Sequence, residues 1–468
     1  MEAVMFIGRE EELKFLEERY QKGDGQLIVL YGRRRIGKTE ILRKFCEDKA
    51  HVFYSCTECP DAQQLTQFSE RVLTKDMPAS KYIQRFNDWK QALSSVAELP
   101  GTGKKLLVID EFPYMVKNNT AIPSILQNLW DETLKNKNIM IILCGSAMSF
   151  IEKDILAEKN PLYGRATGIL KMNEMSFIDA VQFVPNYTPE EKITTYAVLG
   201  GIPHYLKQFS DKKSIEENIV ENILARGSAL YSEVEFLIRQ ELRETSTYNV
   251  IIEAIALGNT KLNDIFLKTQ IEKSKLSAYL NNLIELGIIR REFSVEDGIK
   301  EYANIQRGLY QITDKFFRFW YAYVFPNYSE LESGDAVGIW KYVVSKELDV
   351  YTSHVFEDVC IEYLRRQNRE EKLPFHFTQI GRWWTKTDEL DVMALDHTKK
   401  NYLLGECKYK NSKFALSDFT HMKEKFKPKG KELNLFYYLF SKNGFTEDVI
   451  AQSEKEKIKL ITPMELVQ

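Results

Sequence analysis

Cysteine and histidine are scarce in this chain, with six of each among 468 residues. The cysteines are scattered at positions 46, 56, 59, 144, 360 and 407, which excludes a disulfide-built scaffold. Cys56-Thr57-Glu58-Cys59 has the spacing of a zinc pair, and His51 lies nearby. No second pair closes a four-ligand site, so two thiols at a strand end is the plainer reading. No apolar run reaches the ~18 residues that a membrane-spanning helix needs. The opening Met1-Glu2-Ala3-Val4-Met5-Phe6 lacks the basic start and apolar stretch of a signal peptide, so a cytoplasmic protein with no membrane partner is expected. Charge of either sign is not in excess. Lys and Arg number 64, Asp and Glu 67, and the net charge is −3, so no uniformly basic coat exists for nucleic acid. Any such contact must come from a local patch.

What is present begins at Gln26-Leu27-Ile28-Val29-Leu30-Tyr31, an apolar run with strand character. It feeds Gly32-Arg33-Arg34-Arg35-Ile36-Gly37-Lys38-Thr39, a G-x-x-x-x-G-K-T loop, and Glu40 to Cys46 reads as helix. Strand, loop and helix together are what a phosphate-binding P-loop requires. The glycines let backbone N–H groups and the helix N-terminus face a polyphosphate. Lys38 is expected at the β- and γ-phosphates of ATP, and Thr39 on Mg²⁺. His51 to Ser55 reads as a second strand, and Lys105 to Ile109 is a further, buried strand ending in Asp110-Glu111. Asp110 is assigned to the Mg²⁺ shell and Glu111 to activating the attacking water. A third apolar strand, Ile139 to Cys144, ends in Gly145-Ser146. Ser146 is either a γ-phosphate sensor facing the crevice or a helix N-cap. Arg165, in the loop Pro161-Leu162-Tyr163-Gly164-Arg165, is a candidate for stabilising phosphoryl-transfer charge, with a surface salt bridge as the alternative. Phe6-Ile7-Gly8-Arg9-Glu10 opens a helix whose start either only packs or also borders the adenine.

These pieces, with Gly200-Gly201-Ile202-Pro203-His204-Tyr205-Leu206, resemble the archaeal-type P-loop ATPases, prokaryotic relatives of the AAA+ and STAND ATPases. The resemblance covers the chain to about residue 325. It implies ATP hydrolysis, a helical lid after the core, and a place for Pro203 near the adenine. From the residues alone, the Gly-Gly-x-Pro segment is a helix terminator and turn.

Beyond the core, residues 172–240 read as helical. Thr247 to Ala256, Lys261 to Phe266 and Ser274 to Leu286 are three helix-sized segments, capped by Gly287. Ile288 to Phe293 and Leu309 to Ile312 then read as paired strands around an Asp297-Gly298 turn, which makes a winged helix. Its third helix offers Lys273, Ser274, Lys275, Ser277 and Tyr279 as DNA contacts, or serves only for packing. The aromatic run Phe316 to Tyr323 reads as a buried helix rather than a base-stacking platform, and Pro326 marks a boundary.

The last third carries a different chemistry. Leu390 to Ala394 and Tyr402 to Lys408 read as a hairpin. Residues two apart on a strand share a face, so Glu406 and Lys408 point the same way, and Asp391 can meet them from the neighbouring strand. Two carboxylates can hold Mg²⁺ or Mn²⁺, and a lysine beside them can orient or deprotonate water. Asp391 followed by Glu406-Cys407-Lys408 resembles the PD-(D/E)xK nuclease superfamily, with Leu390 in the proline position. That resemblance makes Glu357, on the preceding helix, an optional metal ligand. Arg382, Lys386, Lys410 and Lys413, with Trp383 and Trp384, would flank a DNA cleft. The basic run Lys423 to Lys431 reads more simply as a solvated loop.

The expected fold is multidomain α/β: a P-loop ATPase core at 1–171, a helical lid at 172–240, a winged helix at 241–325 and a nuclease-like α/β domain at 326–468. The expected function is a DNA-associated ATPase with a metal-dependent nuclease-like domain, possible as a homo-oligomer. The alternative is an ATP-driven switch whose C-terminal modules bind partners without cutting DNA.

Overall fold

The computed structural model describes residues 6–74, 77–296, 308–426 and 433–468. The expected Asp297-Gly298 turn and residues 427–431 of the basic run lie outside the described residues, while Lys423 and Lys425 stand on the helix Leu416–Lys425 rather than in a solvated loop. Two compact units divide the chain. One holds the residues up to 175 together with 202–204, and the other holds 176–201 and everything from 205.

The first unit is built on a five-stranded parallel sheet. Its strands are β1 (Gln26–Tyr31), β2 (His51–Ser55), β3 (Lys105–Asp110), β4 (Ile139–Gly145) and β5 (Gly168–Lys171), in the order β2-β3-β4-β1-β5. All residues of β1, β3 and β4 are buried. This explains why they read as unbroken apolar runs: helices cover both faces of a parallel sheet. On one face Leu27, Val29, Leu107, Ile109, Ile141 and Leu143 join a core with Phe68, Trp89, Leu126 and Trp130. Register pairs Tyr31 with Gly145, and Ile109 with Leu143. The residues that follow β1, β3 and β4 therefore emerge at one edge of the sheet, and the order reverses there because β4 lies between β1 and β3. Ligands of open α/β sheets bind at such a crevice.

The second unit opens with helices. Pro189–Leu199 and Ile215–Ile219 both start with reciprocal capping boxes, Thr188 with Glu191 and Ser214 with Glu217. Three further helices follow, Thr245–Ala256, Leu262–Thr269 and Lys273–Glu285. They lead to an antiparallel pair, β6 (Ile289–Glu292) and β7 (Leu309–Ile312), with Ile289 opposite Ile312. The aromatic run after β7 is core: Phe316, Phe317, Phe319, Trp320 and Tyr321 are all buried. The polar tips find partners, Trp320 Nε1 donating to Tyr231 O at 2.7 Å and Tyr321 Oη to Asn249 Oδ1 at 2.8 Å. That burial rules out base stacking by these five rings.

A 25-residue helix, Ser345–Arg369, precedes the second five-stranded sheet. Its strands are β8 (Gln379–Trp384), β9 (Glu389–Leu395), β10 (Asn401–Lys408), β11 (Asn434–Ser441) and β12 (Ile458–Ile461), ordered β12-β11-β10-β9-β8. β8, β9 and β10 form an antiparallel meander, and β11 and β12 add parallel to it. Gly405 faces Val392 across the β9–β10 pair, where a Cβ would lie 2.9 Å from the Val392 Cβ. No described helix is long and apolar enough to cross a membrane.

Candidate functional site

The P-loop is fixed by backbone positions that only glycine accepts easily. A Cβ on Gly32 would sit 2.4 Å from the Met172 carbonyl oxygen. Gly37, at φ 90°, takes a left-handed conformation immediately before the helix Lys38–Cys46. Lys38 is buried, and its Nζ donates to Gly32 O at 2.9 Å and Arg33 O at 2.8 Å, which folds the loop round the ammonium. Burial lowers the Lys38 pKa, and the nearby Glu111 and Asp110 carboxylates offset this only in part.

Thr39 Oγ1 donates to Asp110 Oδ2 at 2.8 Å, and the Glu111 N–H donates to Asp110 Oδ1 at 3.0 Å. Glu111 itself is left-handed, at φ 53°, and caps the helix Phe112–Asn118. Its carboxylate accepts from Ser146 Oγ at 2.9 Å and Ser146 N at 3.3 Å. The three strand ends thus deliver one linked set, Thr39–Asp110–Glu111–Ser146, beside Lys38. A hydroxyl and a carboxylate already in contact form a fitting pair for Mg²⁺. Glu111 is the remaining acid, held by Ser146 at the crevice edge.

Pro203 reaches this loop: a Cβ on Gly37 would lie 3.8 Å from Pro203 Cγ. Next to it, Arg35 Nη1 donates to His204 Nε2 at 2.8 Å. Arg165 is engaged elsewhere, with Nη2 and Nε at 2.8 Å and 3.0 Å from Asp131 Oδ2. The salt-bridge alternative is therefore the one seen, and a charge-stabilising role requires Arg165 to leave Asp131. One residue at the start of the opening helix has a definite place. Arg9 is buried and donates to Ile36 O at 3.0 Å, Asn173 O at 2.9 Å and Glu12 Oε1 at 2.7 Å, bracing the P-loop from outside.

Residues 6–209 match a family model described as an ATPase domain predominantly from Archaea, and residues 320–421 match one described as archaeal and bacterial proteins of unknown function. An uncharacterized protein of Methanocaldococcus jannaschii is 36% identical over 409 residues, covering 87% of this chain and 88% of that protein. This chain belongs to the archaeal-type P-loop ATPases. A second protein of the same organism, an uncharacterized ATP-binding protein, is 54% identical over 46 residues, 10% of this ATPase and 78% of that protein. A Walker-type ATPase of Pyrococcus abyssi shares the fold at 22% identity and a TM-score of 0.50, over 68% of this ATPase and 96% of that chain.

The second cluster of this ATPase lies on β9 and β10. Asp391 Oδ2 accepts from Cys407 N at 2.7 Å, which draws it onto the strand that carries Glu406. Burial, then the Glu406 carboxylate, raises the Asp391 pKa. Glu406 is buried and faces two ammonium groups, Lys425 at 3.1 Å and Lys408 at 3.4 Å. Lys408 also lies 3.7 Å from Asp418. Burial opposes its charge, yet Glu406 and Asp418 prevail and raise its pKa. A firmly cationic lysine suits orienting a water or a phosphate better than removing a proton.

Two expected roles meet competition here. Glu357 pairs with Arg382 at 2.8 Å, and Arg382 also lies 3.8 Å from Glu292. Arg382 is thus internally compensated rather than presented to a DNA backbone, and Glu357 is engaged by that guanidinium. Trp383 is likewise buried, its Nε1 donating to Glu296 at 2.8 Å. Lys386, Lys410 and Lys413 are exposed. Among the described residues no group of three or more His, Cys, Asp or Glu side chains converges as a metal site. The Cys56, Cys59 and His51 set is included in that statement. Lys425 belongs to the run read as a solvated loop, but it ends the helix Leu416–Lys425 and turns to Glu406, 19 residues away on another element.

Proposed function

We propose that this ATPase couples nucleotide turnover to a DNA-facing C-terminal half whose last sheet is a nuclease-like module. The carrying observation is that Asp391, Glu406 and Lys408 gather on adjacent strands of an antiparallel meander extended by two parallel strands. A long helix leads into that sheet, as the resemblance to PD-(D/E)xK nucleases implies. Asp391 and Glu406 are the two carboxylates that would hold Mg²⁺ or Mn²⁺. The metal would supply charge neutralisation at a phosphate. Lys408 would orient the incoming water. The three helices with β6 and β7 are read as a winged helix, with Lys273, Ser274 and Lys275 exposed on its third helix. Segments 172–240 and 241–325 serve as lid and DNA-facing module in this reading.

At the ATPase centre, Lys38 holds the β- and γ-phosphates, and Thr39 with Asp110 holds Mg²⁺. Glu111 polarises water, and Ser146 keeps its carboxylate in place and senses the γ-phosphate. Pro203, against the loop, lies towards the adenine. Lys38→Ala abolishes nucleotide binding, whereas Glu111→Gln keeps binding and loses hydrolysis, as filter binding and phosphate release will show. Normal turnover by Glu111→Gln would remove Glu111 as the base.

The nuclease reading is tested by incubating the protein with linear, circular and branched DNA, Mg²⁺ or Mn²⁺, with and without ATP. Asp391→Ala is the control. Cleavage lost in that variant supports the reading, and no cleavage on any substrate rejects it. One observation favours a second reading, a nucleotide-driven switch that binds partners without cutting. Lys425 and Lys408 both neutralise Glu406, occupying the carboxylate that a metal would need.

A further inference from the structure

The second unit contains a cavity of about 270 Å³ between the helix Thr245–Ala256, the β6–β7 pair, the helix Ser345–Arg369 and β8. Its lining is dominated by one sign of charge. Arg290, Lys315, Arg318 and Arg382 all reach it, together with the imidazole of His354, against a single carboxylate, Asp358. The rest of the wall is aliphatic, hydroxyl or amide. Asp358 lies 3.6 Å from Arg290, and Glu357 and Glu292 engage Arg382 from outside the lining. Arg318 makes no ion pair among the described residues and instead stacks over Tyr351 at 4.9 Å. Lys315 lies over Tyr196 at 4.7 Å. Nε of Arg382 is buried without a hydrogen-bond partner. A buried donor in that state carries a desolvation cost that a bound acceptor removes.

Asp358, Glu357 and Glu292 offset Arg290 and Arg382, which leaves Arg318 as the guanidinium in the lining with no ion pair among the described residues. The field is visible on His354, whose pKa falls to about 4 through burial and then through Arg318 and Arg382. A planar guanidinium offers a fixed fork of donors that matches the oxygens of a phosphate bidentately. The aliphatic part of the wall gives a flat body a place beside the charged end.

We infer that this cavity is a binding site for a small phosphorylated molecule of nucleotide size, separate from the P-loop. Arg318 receives the phosphate, with only the unpartnered Nε of the otherwise engaged Arg382 beside it, and the aliphatic wall receives the remainder. The inference does not depend on the nuclease reading, because Asp391 and Glu406 take no part in it.

The test uses the full chain carrying Lys38→Ala, so that the P-loop is silent, in buffer with EDTA at low salt. Calorimetric titrations compare inorganic phosphate, pyrophosphate, a nucleoside monophosphate and a short DNA duplex, with Arg318→Ala and Arg318→Lys beside the parent. The expected result is saturable one-site binding of pyrophosphate or the nucleoside monophosphate. Arg318→Ala weakens it about tenfold or more, and Arg318→Lys weakens it less. Circular dichroism confirms that both variants fold. No saturable binding of any small probe overturns the inference, and so does binding that Arg318→Ala leaves unchanged. If the duplex alone binds in an Arg318-dependent way, the small-molecule assignment is wrong.

Discussion

Gly32 shows how narrowly single residues are set at the nucleotide site, because the space for its Cβ is already taken by the Met172 carbonyl. Gly32→Ala must displace backbone, and a loss of about 1–3 kcal/mol is expected in denaturant unfolding, with weaker ATP binding. Arg9 acts through three hydrogen bonds, so Arg9→Ala leaves the Ile36 carbonyl without its donor and costs about 1–3 kcal/mol. His354 makes a pH prediction. Its imidazole is neutral in the fold until about 4, whereas the unfolded chain protonates near 6.5. Protons therefore favour the unfolded state in between, and stability falls as pH drops through that window and is full above it. Urea unfolding followed from pH 7 to pH 5 should show this slope, and His354→Gln should flatten it. Much at this scale was legible. Lys38, Thr39, Asp110 and Glu111 lie in contiguous motifs whose chemistry is local. Arg9, whose acceptor Asn173 is 164 residues away, and Arg165, whose partner Asp131 is 34 away, depend on contacts that no local pattern encodes.

Elements were more readable where burial is two-sided. β1, β3 and β4 announced themselves as apolar runs because helices cover both faces of their sheet. The hairpin β9–β10 was legible too, since Asp391 and Glu406 punctuate otherwise apolar strands. What sequence could not supply is how the side chains at those strands are shared out: Glu357 goes to Arg382, and Glu406 to Lys425 and Lys408. The helix starts give a direct check. Ser214 Oγ accepts from the Glu217 N–H, and the Ser214 N–H and hydroxyl donate to the Glu217 carboxylate in return. Ser214→Ala should cost about 1 kcal/mol in thermal or urea unfolding, and Ser214→Asp should recover most of it.

At the scale of the molecule, two compact units stand where sequence divided the chain into four segments, because the helices after residue 205 and the last sheet pack as one body. The P-loop belongs to only one of them. ATP with Mg²⁺ at about a hundred times its dissociation constant should add about 2.7 kcal/mol to the unit that binds it. Scanning calorimetry should therefore show part of the heat absorption moving upward with ATP, and Lys38→Ala should cancel the shift. The first unit is not a continuous stretch of chain: it closes only with residues 202–204, which place Pro203 and His204 against Gly37 and Arg35. A ribosome making this protein will have completed the whole parallel sheet before that final piece, which begins 31 residues after Lys171, is made. The nucleotide loop is finished after its own sheet, by a segment whose neighbours on both sides belong to another folding unit.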